Sequence, residues 1–564
     1  MSFPTLANLT KKKIIEYAVN GSLKPTVCLD PVTSNKLFQQ LLPLLEMLDE
    51  NALEVIGKTI KPTVINMIGI HMTEKIFEVI RSFNLTSLSL GYFELLTSFE
   101  KDRKFHSLSK KYPPLEPSRR YGRDETGEDE YRKEIGTVFD LPAVLRRLIN
   151  QESRSSLTNL DLSPVSMGTR EGHTEQFADG WAKEIGRMFP SLKTLSLRHR
   201  ITTCKDFQDI CSLFPNLEIL DLSNTSIESL TGISLLKNLK TLRIGSLQFE
   251  KSRCLMDIFE IENLENLSFA EPISADSDGT IEAYLRSRRS FPKLRHLDLS
   301  YTFCKKENIR KLVEAHPTLE SLSICYTDPL EFPGIRGFDS DSVQAATKAL
   351  KFYTAENNAP MVGAVLLNIC EVICTRGQPP AEHMRECFKQ VVSTLESFYF
   401  LKRVKKYGSG CCDILLTIAP LNTYNQDDLV RLVNFMITYI SPRVKLFDSH
   451  FIANKATEPQ WDVLNSRELL LNTPHIDLNQ ICRLCISMLE KAIDQWESLE
   501  FSNYLIIFDY IKDRVNLNLE MFQSVQKQRI MDRLSRTRDE LHSQGFREDV
   551  DAAERLIQFI DINF

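Results

Sequence analysis

A short apolar phrase recurring through the first half of the chain, proline marks ahead of several copies, and a change to long amphipathic helices in the second half predict a two-part protein. The first part reads as an α/β leucine-rich-repeat solenoid and the second as an all-α, armadillo-like helical array, with a short helical segment ahead of both. The phrase is Leu-x-x-Leu-x-Leu. It reads Leu157-x-x-Leu160-x-Leu162, Leu192-x-x-Leu195-x-Leu197 and Leu217-x-x-Leu220-x-Leu222. It continues as Leu239-x-x-Leu242-x-Ile244, Leu264-x-x-Leu267-x-Phe269, Leu294-x-x-Leu297-x-Leu299 and Leu319-x-x-Leu322-x-Ile324. Ile65-x-x-Ile68-x-Ile70 and Leu85-x-x-Leu88-x-Leu90 lie upstream. From Leu157 onward the first positions are 22 to 35 residues apart, mostly at or just above the period of a leucine-rich repeat.

Each phrase is expected to form one short parallel strand. A single repeat cannot close its own core, so neighbours must stack. Return segments follow the helical period: in Leu141 to Ile149, the residues Leu141, Val144, Leu145 and Leu148 share a face, and Pro142 is tolerated in a first turn. Phe207 to Phe214 and Ile309 to Ala315 read the same way. Phe189-Pro190, Phe214-Pro215, Phe291-Pro292 and His316-Pro317 end a helix and set the entry to the next strand. The Asn usual in such repeats appears once, at Asn224, so the copies are degenerate.

Residues 1–45 form the helical start. Thr5 caps a helix from Leu6 to Val19, Asn20-Gly21 stops it, and a second helix follows Leu29-Asp30-Pro31. The repeats span 62–327. They are interrupted near 100–135 by a charge-dense insertion that has little to bury and is expected to be a loop. After Thr327 the phrase stops. Residues 340–564 read as consecutive helices, including Val343–Phe352, Met361–Cys374, Ala381–Phe400, Leu429–Ile440, Leu478–Leu499 and Tyr504–Arg514.

Composition narrows the class. A net charge of −6 gives no support to nucleic-acid binding. No run of about 18 apolar residues predicts a membrane span, and the first residues lack the pattern of a signal peptide. Thirteen scattered cysteines fit buried thiols of a cytoplasmic or nuclear protein better than a disulfide framework. Cys482-Arg-Leu-Cys485 has no second ligand pair for zinc. Cys370 and Cys374 read as small core residues, and Cys411-Cys412 has no partnering base. Gly408-Ser-Gly410 is not followed by the Gly-Lys-Ser/Thr of a phosphate loop. The expectation is a non-enzymatic protein without cofactor or metal.

The order of helical start, degenerate leucine-rich repeats and armadillo-like end resembles the Zyg-eleven family, substrate receptors of cullin-2 ubiquitin ligases. The N-terminal text Thr5-Leu6-Ala7-Asn8-Leu9-Thr10-Lys11-Lys12-Lys13-Ile14 is similar to the elongin-binding box of such receptors, with Thr10 where the box has Cys. The resemblance implies that Leu6, Thr10 and Ile14, on one helical stripe, dock elongin C together with elongin B. It also implies that a cullin-2 contact follows at Leu29, Pro31 and Leu37, where Asp30 interrupts the family's apolar-Pro pair. The solenoids would then present an unknown protein substrate. The Trp-Asn-x-Thr-Asp-like motif by which family members recognise an N-terminal glycine is not found; Trp461-Asp462 is the nearest pair, so that specificity is not carried over. A scaffold or adaptor with no ligase attached stays open as the second reading.

Overall fold

The computed structural model describes residues 29–440, apart from 92–108, 112–136, 165–175, 271–277 and shorter gaps, and scattered residues between 469 and 558. The described residues form a mixed α/β unit that ends at Asp339 and a helical unit that begins at Ser340.

The strands of the first unit are β1 (Val64–Asn66), β2 (Ser87–Ser89), β3 (Ser109–Lys111), β4 (Thr137–Phe139), β5 (Asn159–Asp161), β6 (Gln176–Phe177), β7 (Thr194–Ser196), β8 (Ile219–Asp221), β9 (Thr241–Arg243), β10 (Asn266–Ser268), β11 (His296–Asp298), β12 (Ser321–Ser323) and β13 (Arg336–Phe338). Ten of them form one parallel sheet in chain order, omitting β3, β4 and β6. Those three make a small separate sheet in which β3 runs antiparallel to β4. Residues 109–111 thus form a paired strand inside the stretch whose charge suggested a loop.

The phrase explains the large sheet. Leu88, Leu160, Leu195, Leu220, Leu242, Leu267, Leu297 and Leu322 stand in one register and are buried to 1% exposure or less. The flanking leucines join the same core, so each strand contributes three apolar side chains that only its neighbours can cover. The first copy is out of phase with the sequence reading. Ile65 pairs with Leu88, the second position of its phrase, so the copy begins at Pro62 and closes on buried Met67. The tenth strand, β13, carries Gly337 opposite Leu322 and has no apolar phrase, which is why the sequence did not show it.

The return segments end as the prolines require. The N–H groups of Phe189 and Phe214 close the helices Trp181–Met188 and Cys204–Leu213, and both rings are buried. His316 takes the equivalent place after Lys306–Ala315. Its Nδ1–H donates to the Leu312 carbonyl at 2.7 Å, and its Nε2 accepts from Tyr284 Oη at 2.7 Å. Burial lowers its pKa, so it is a neutral core histidine.

The helix Pro31–Leu41 is part of this unit. Asp30 caps it by accepting from Thr33 N, and Pro31 fits its first turn. Leu37, Phe38 and Leu41 enter the core of the sheet. Its polar side chains cover the edge of β1. Asn35 Oδ1 accepts from Thr63 N at 2.7 Å and Val64 N at 3.1 Å. Gln39 accepts from Asn66 N at 3.0 Å and donates to Asn66 O at 2.7 Å, as a neighbouring strand would.

Among the described residues up to 440, the helices of the helical unit are Val343–Ala355, Ala359–Arg376, Ala381–Ser397, Lys402–Ile418 and Gln426–Ile440. Lys402–Ile418 is not among the helices named from the sequence, and it contains Gly408-Ser-Gly410. The reason for the first glycine is packing: a Cβ on Gly408 would sit 2.6 Å from Leu395 Cδ2 of the preceding helix. Contrary to the composition reading, Ala359–Arg376 is long and apolar enough to cross a membrane. Met361, Val365 and Ile369 are nevertheless fully buried within the helical unit. The expected helices after 440 lie outside the described residues or are described only in scattered positions.

Candidate functional site

The candidate site is the polar face of the ten-stranded sheet. In a strand, alternate side chains face opposite ways, so burying the central leucines turns their two neighbours to the other face. The last residue of five of these strands has a structural duty. Asp161 Oδ1 accepts from Ser163 N at 2.9 Å, Asp221 Oδ1 from Ser223 N at 3.0 Å and Asp298 Oδ1 from Ser300 N at 3.0 Å. Asn66 and Ser268 make the same bond to Ile68 N and Ala270 N. A short side-chain acceptor here closes a turn at the strand end. The sequence carried the signal as Leu-Asp-Leu-Ser, three times, at 160–163, 220–223 and 297–300.

The turns continue in a common way. His199, Asn224, Ser246, Tyr301 and Tyr326 occupy one equivalent position, and all have positive φ between 53° and 62°. The Asn expected once at this place is therefore replaced by His, Ser or Tyr in the same left-handed conformation. The N–H groups of His199, Asn224 and Tyr301 reach the next turn, at Ser223 O, Gly245 O and Cys325 O. Tyr301 and Tyr326 stack with ring centroids 4.7 Å apart, and Tyr326 is 38% exposed.

Charge concentrates at the middle of the face. Asp221 lies 3.9 Å from Arg198 and 4.0 Å from Arg243. Arg200, 2% exposed, donates to Leu162 O at 2.5 Å and to Gly91 O, and its guanidinium lies over the Phe177 ring. Burial raises the pKa of Asp161, with Asp221 adding to the rise. Burial, with help from Arg198, holds His199 down at about 3, so its ring is neutral while Asn224 donates to Nδ1. Burial beside Arg243 likewise lowers His296 to about 4. The face thus presents Ser, Thr and Asn side chains around paired charges. It offers hydrogen-bond donors and acceptors at the strand spacing of about 4.8 Å.

A second row runs along the entry to the strands. Glu218 bridges Lys193 at 2.8 Å and Lys240 at 2.9 Å, and these contacts lower its pKa to about 2. The row extends through Glu265, Arg295 and Glu320, each backbone N–H bonded to the preceding member's carbonyl at 2.8 Å. Arg295 and Glu320 also pair at 3.3 Å. One residue before each phrase, Asn216, Asn238 and Asn263 donate to Pro190 O, Pro215 O and Lys237 O. Aligning the phrases by their first leucine reveals both rows in the sequence.

The residues read as contact sites from the resemblance fall apart into two groups. Leu6, Thr10 and Ile14 lie outside the described residues. Of the cullin set, Pro31 is exposed, Leu29 is half-buried against the core and Leu37 is wholly buried. Leu37 faces the sheet because it sits on the helix stripe with Phe38 and Leu41; the outward residue beside Pro31 is Val32, 63% exposed. Among the described residues, no group of three or more His, Cys, Asp and Glu is placed to hold a metal ion. Cys482 and Cys485 lie outside them.

The chain matches no protein-family model. Over 368 residues it is 26% identical to Gastrulation-defective protein 3 of Caenorhabditis elegans, a match covering 62% of this chain and 49% of that protein. The chain therefore spans about half the length of the curated relative it matches.

Proposed function

We propose that this chain is a non-catalytic substrate-recognition subunit of a cullin-2/elongin-type ubiquitin ligase, whose parallel sheet is a leucine-rich-repeat solenoid and whose helical unit is armadillo-like. The polar sheet face is the observation that carries this reading: strands in one register set partly exposed polar side chains such as Asn159, Thr194, Asn266 and Ser321 on one face, and solenoids use such surfaces to hold polypeptides. The N-terminal stripe of Leu6, Thr10 and Ile14 supplies the elongin C contact, and exposed Pro31 the start of the cullin-2 contact. The mechanism is proximity, since a substrate held near a ubiquitin-charged enzyme reacts at raised effective concentration.

Recombinant elongin B and C mixed with the purified chain test the reading. Binding should be lost in Leu6→Ala with Ile14→Ala, because a short docked helix concentrates its energy in a few anchors worth about 2 kcal/mol each. Thr10→Cys should tighten it, by removing a hydroxyl that needs a partner in an apolar groove. If neither wild type nor Thr10→Cys binds, the second reading holds: a scaffold or adaptor without a ligase, favoured by Thr10 at the box's Cys position.

A further inference from the structure

The helical unit gathers four cysteines from three neighbouring helices. Cys370 lies on Ala359–Arg376, Cys387 on Ala381–Ser397, and Cys411 and Cys412 on Lys402–Ile418. None is in a disulfide. Cys370 Sγ stands 3.2 Å from Cys411 Sγ, across two helices whose residues are 41 apart in sequence. Cys370 is partly exposed, whereas Cys411 is buried. The geometry points to a peroxide-driven disulfide between Cys370 and Cys411 that fastens these two helices together.

The surroundings divide the roles. Contact with Cys411 lowers the pKa of Cys370 below the ordinary thiol range. Burial raises Cys411 and Cys412 well above it and Cys387 to about 12. The thiolate is the reacting form, so Cys370 is the sulfur that reacts first with the peroxide, and it is also the one that solvent reaches. Cys370 sulfur attacks one oxygen of hydrogen peroxide. An S–O bond forms, the O–O bond breaks, and the departing hydroxide takes the proton released by the thiol as water. Cys411 sulfur then attacks Cys370 sulfur: the S–S bond forms, the S–O bond breaks, and hydroxide leaves with the Cys411 proton as a second water. The two sulfurs together lose two electrons and the peroxide gains them. Cys411 is positioned for this by its sulfur lying 3.2 Å from that of Cys370. Closing the gap to the bonded distance of about 2 Å asks for a shift of only about 1 Å.

Peptide mapping of the purified full chain tests the proposal. The protein is treated with hydrogen peroxide while folded, then denatured, its remaining thiols are alkylated, and it is digested without reductant. The expected result is a cross-linked pair of peptides carrying Cys370 and Cys411, lighter by two hydrogens and separated by reductant. Cys370→Ser should abolish the pair, and Cys374→Ser, at the exposed thiol one turn away, should leave it intact. Cys411→Ser should leave Cys370 as a sulfenic acid that dimedone traps. Should the buried Cys411 variant fail to fold, the wild-type map decides alone. A wild-type map in which Cys370 and Cys411 are both alkylated, or Cys370 is oxidised without being joined to Cys411, overturns the proposal.

Discussion

In the sheet unit, Leu160, Leu195 and Leu220 meet identical neighbours at one register, strand after strand. In the helical unit, Gly408 has a surrounding of its own, set against the side chain of Leu395. The first arrangement repeats a single solution, so its energy divides into similar steps along the chain. The second depends on a few shape matches that occur once. A change in the sheet should therefore cost much the same wherever it is made, whereas a change among the helices should depend on its address.

The largest effect expected is from shortening a central leucine. Leu195→Ala, Leu220→Ala and Leu242→Ala should each lose about 3 kcal/mol, since all three are fully buried. Denaturant unfolding of the three variants measures this. Widely different losses would break the equivalence of the strands.

Gly408→Ala probes the other region and should cost less. The added methyl meets Leu395 at 2.6 Å, which is overpacking, while the helix gains about 1 kcal/mol of propensity. A net loss of roughly 1 kcal/mol is expected, and Leu395→Ala in the same chain should relieve the clash. If the double variant shows no coupling in a thermodynamic cycle, the close approach of these helices is not what selects glycine.

The smallest effect sharpens the account of the charge row. Lys193 and Lys240 hold the Glu218 carboxyl at about 2, below its ordinary value of 4.5. A depressed folded pKa gives stability that is present above 4.5 and lost as pH falls toward 2. Glu218→Gln should remove that contribution. The site faces water, so the loss near neutral pH should stay below about 1 kcal/mol and shrink in salt. Melting temperatures of both proteins should converge as the pH is lowered; a gap that widens in acid would contradict the ion-pair cause.

Much of the sheet was legible because the phrase is itself a packing rule: three apolar side chains at fixed offsets leave one way to pair. The exceptions have physical causes. Ile65-x-x-Ile68 matched the phrase by composition, but edge cover from Asn35 and Gln39 sets β1 three residues earlier in phase. β13 pairs through its backbone and needs no leucine at Gly337. Lys402–Ile418 contains Gly408, and glycine signals a turn until a neighbour is known to press on it. On the candidate face, Leu-Asp-Leu-Ser marked the turns, while Arg200 gave no local sign. Its partners, Leu162 and Gly91, come from segments far from it in sequence. Leu37, read as a contact residue, is buried in the core of the sheet unit: the same stripe that suggests docking can be satisfied at home.

Lys193, Glu218, Lys240, Glu265, Arg295 and Glu320 alternate in sign along one register. Such a row has a period of two strands, although the leucines have a period of one. Losing a single strand and its return segment from this stretch would bring two like charges side by side, which is unfavourable for directly opposed residues. Losing or duplicating two would leave the alternation whole. The array can thus lengthen or shorten by pairs without electrostatic conflict and by one only with it: a parity rule, carried by side chains that the core never touches.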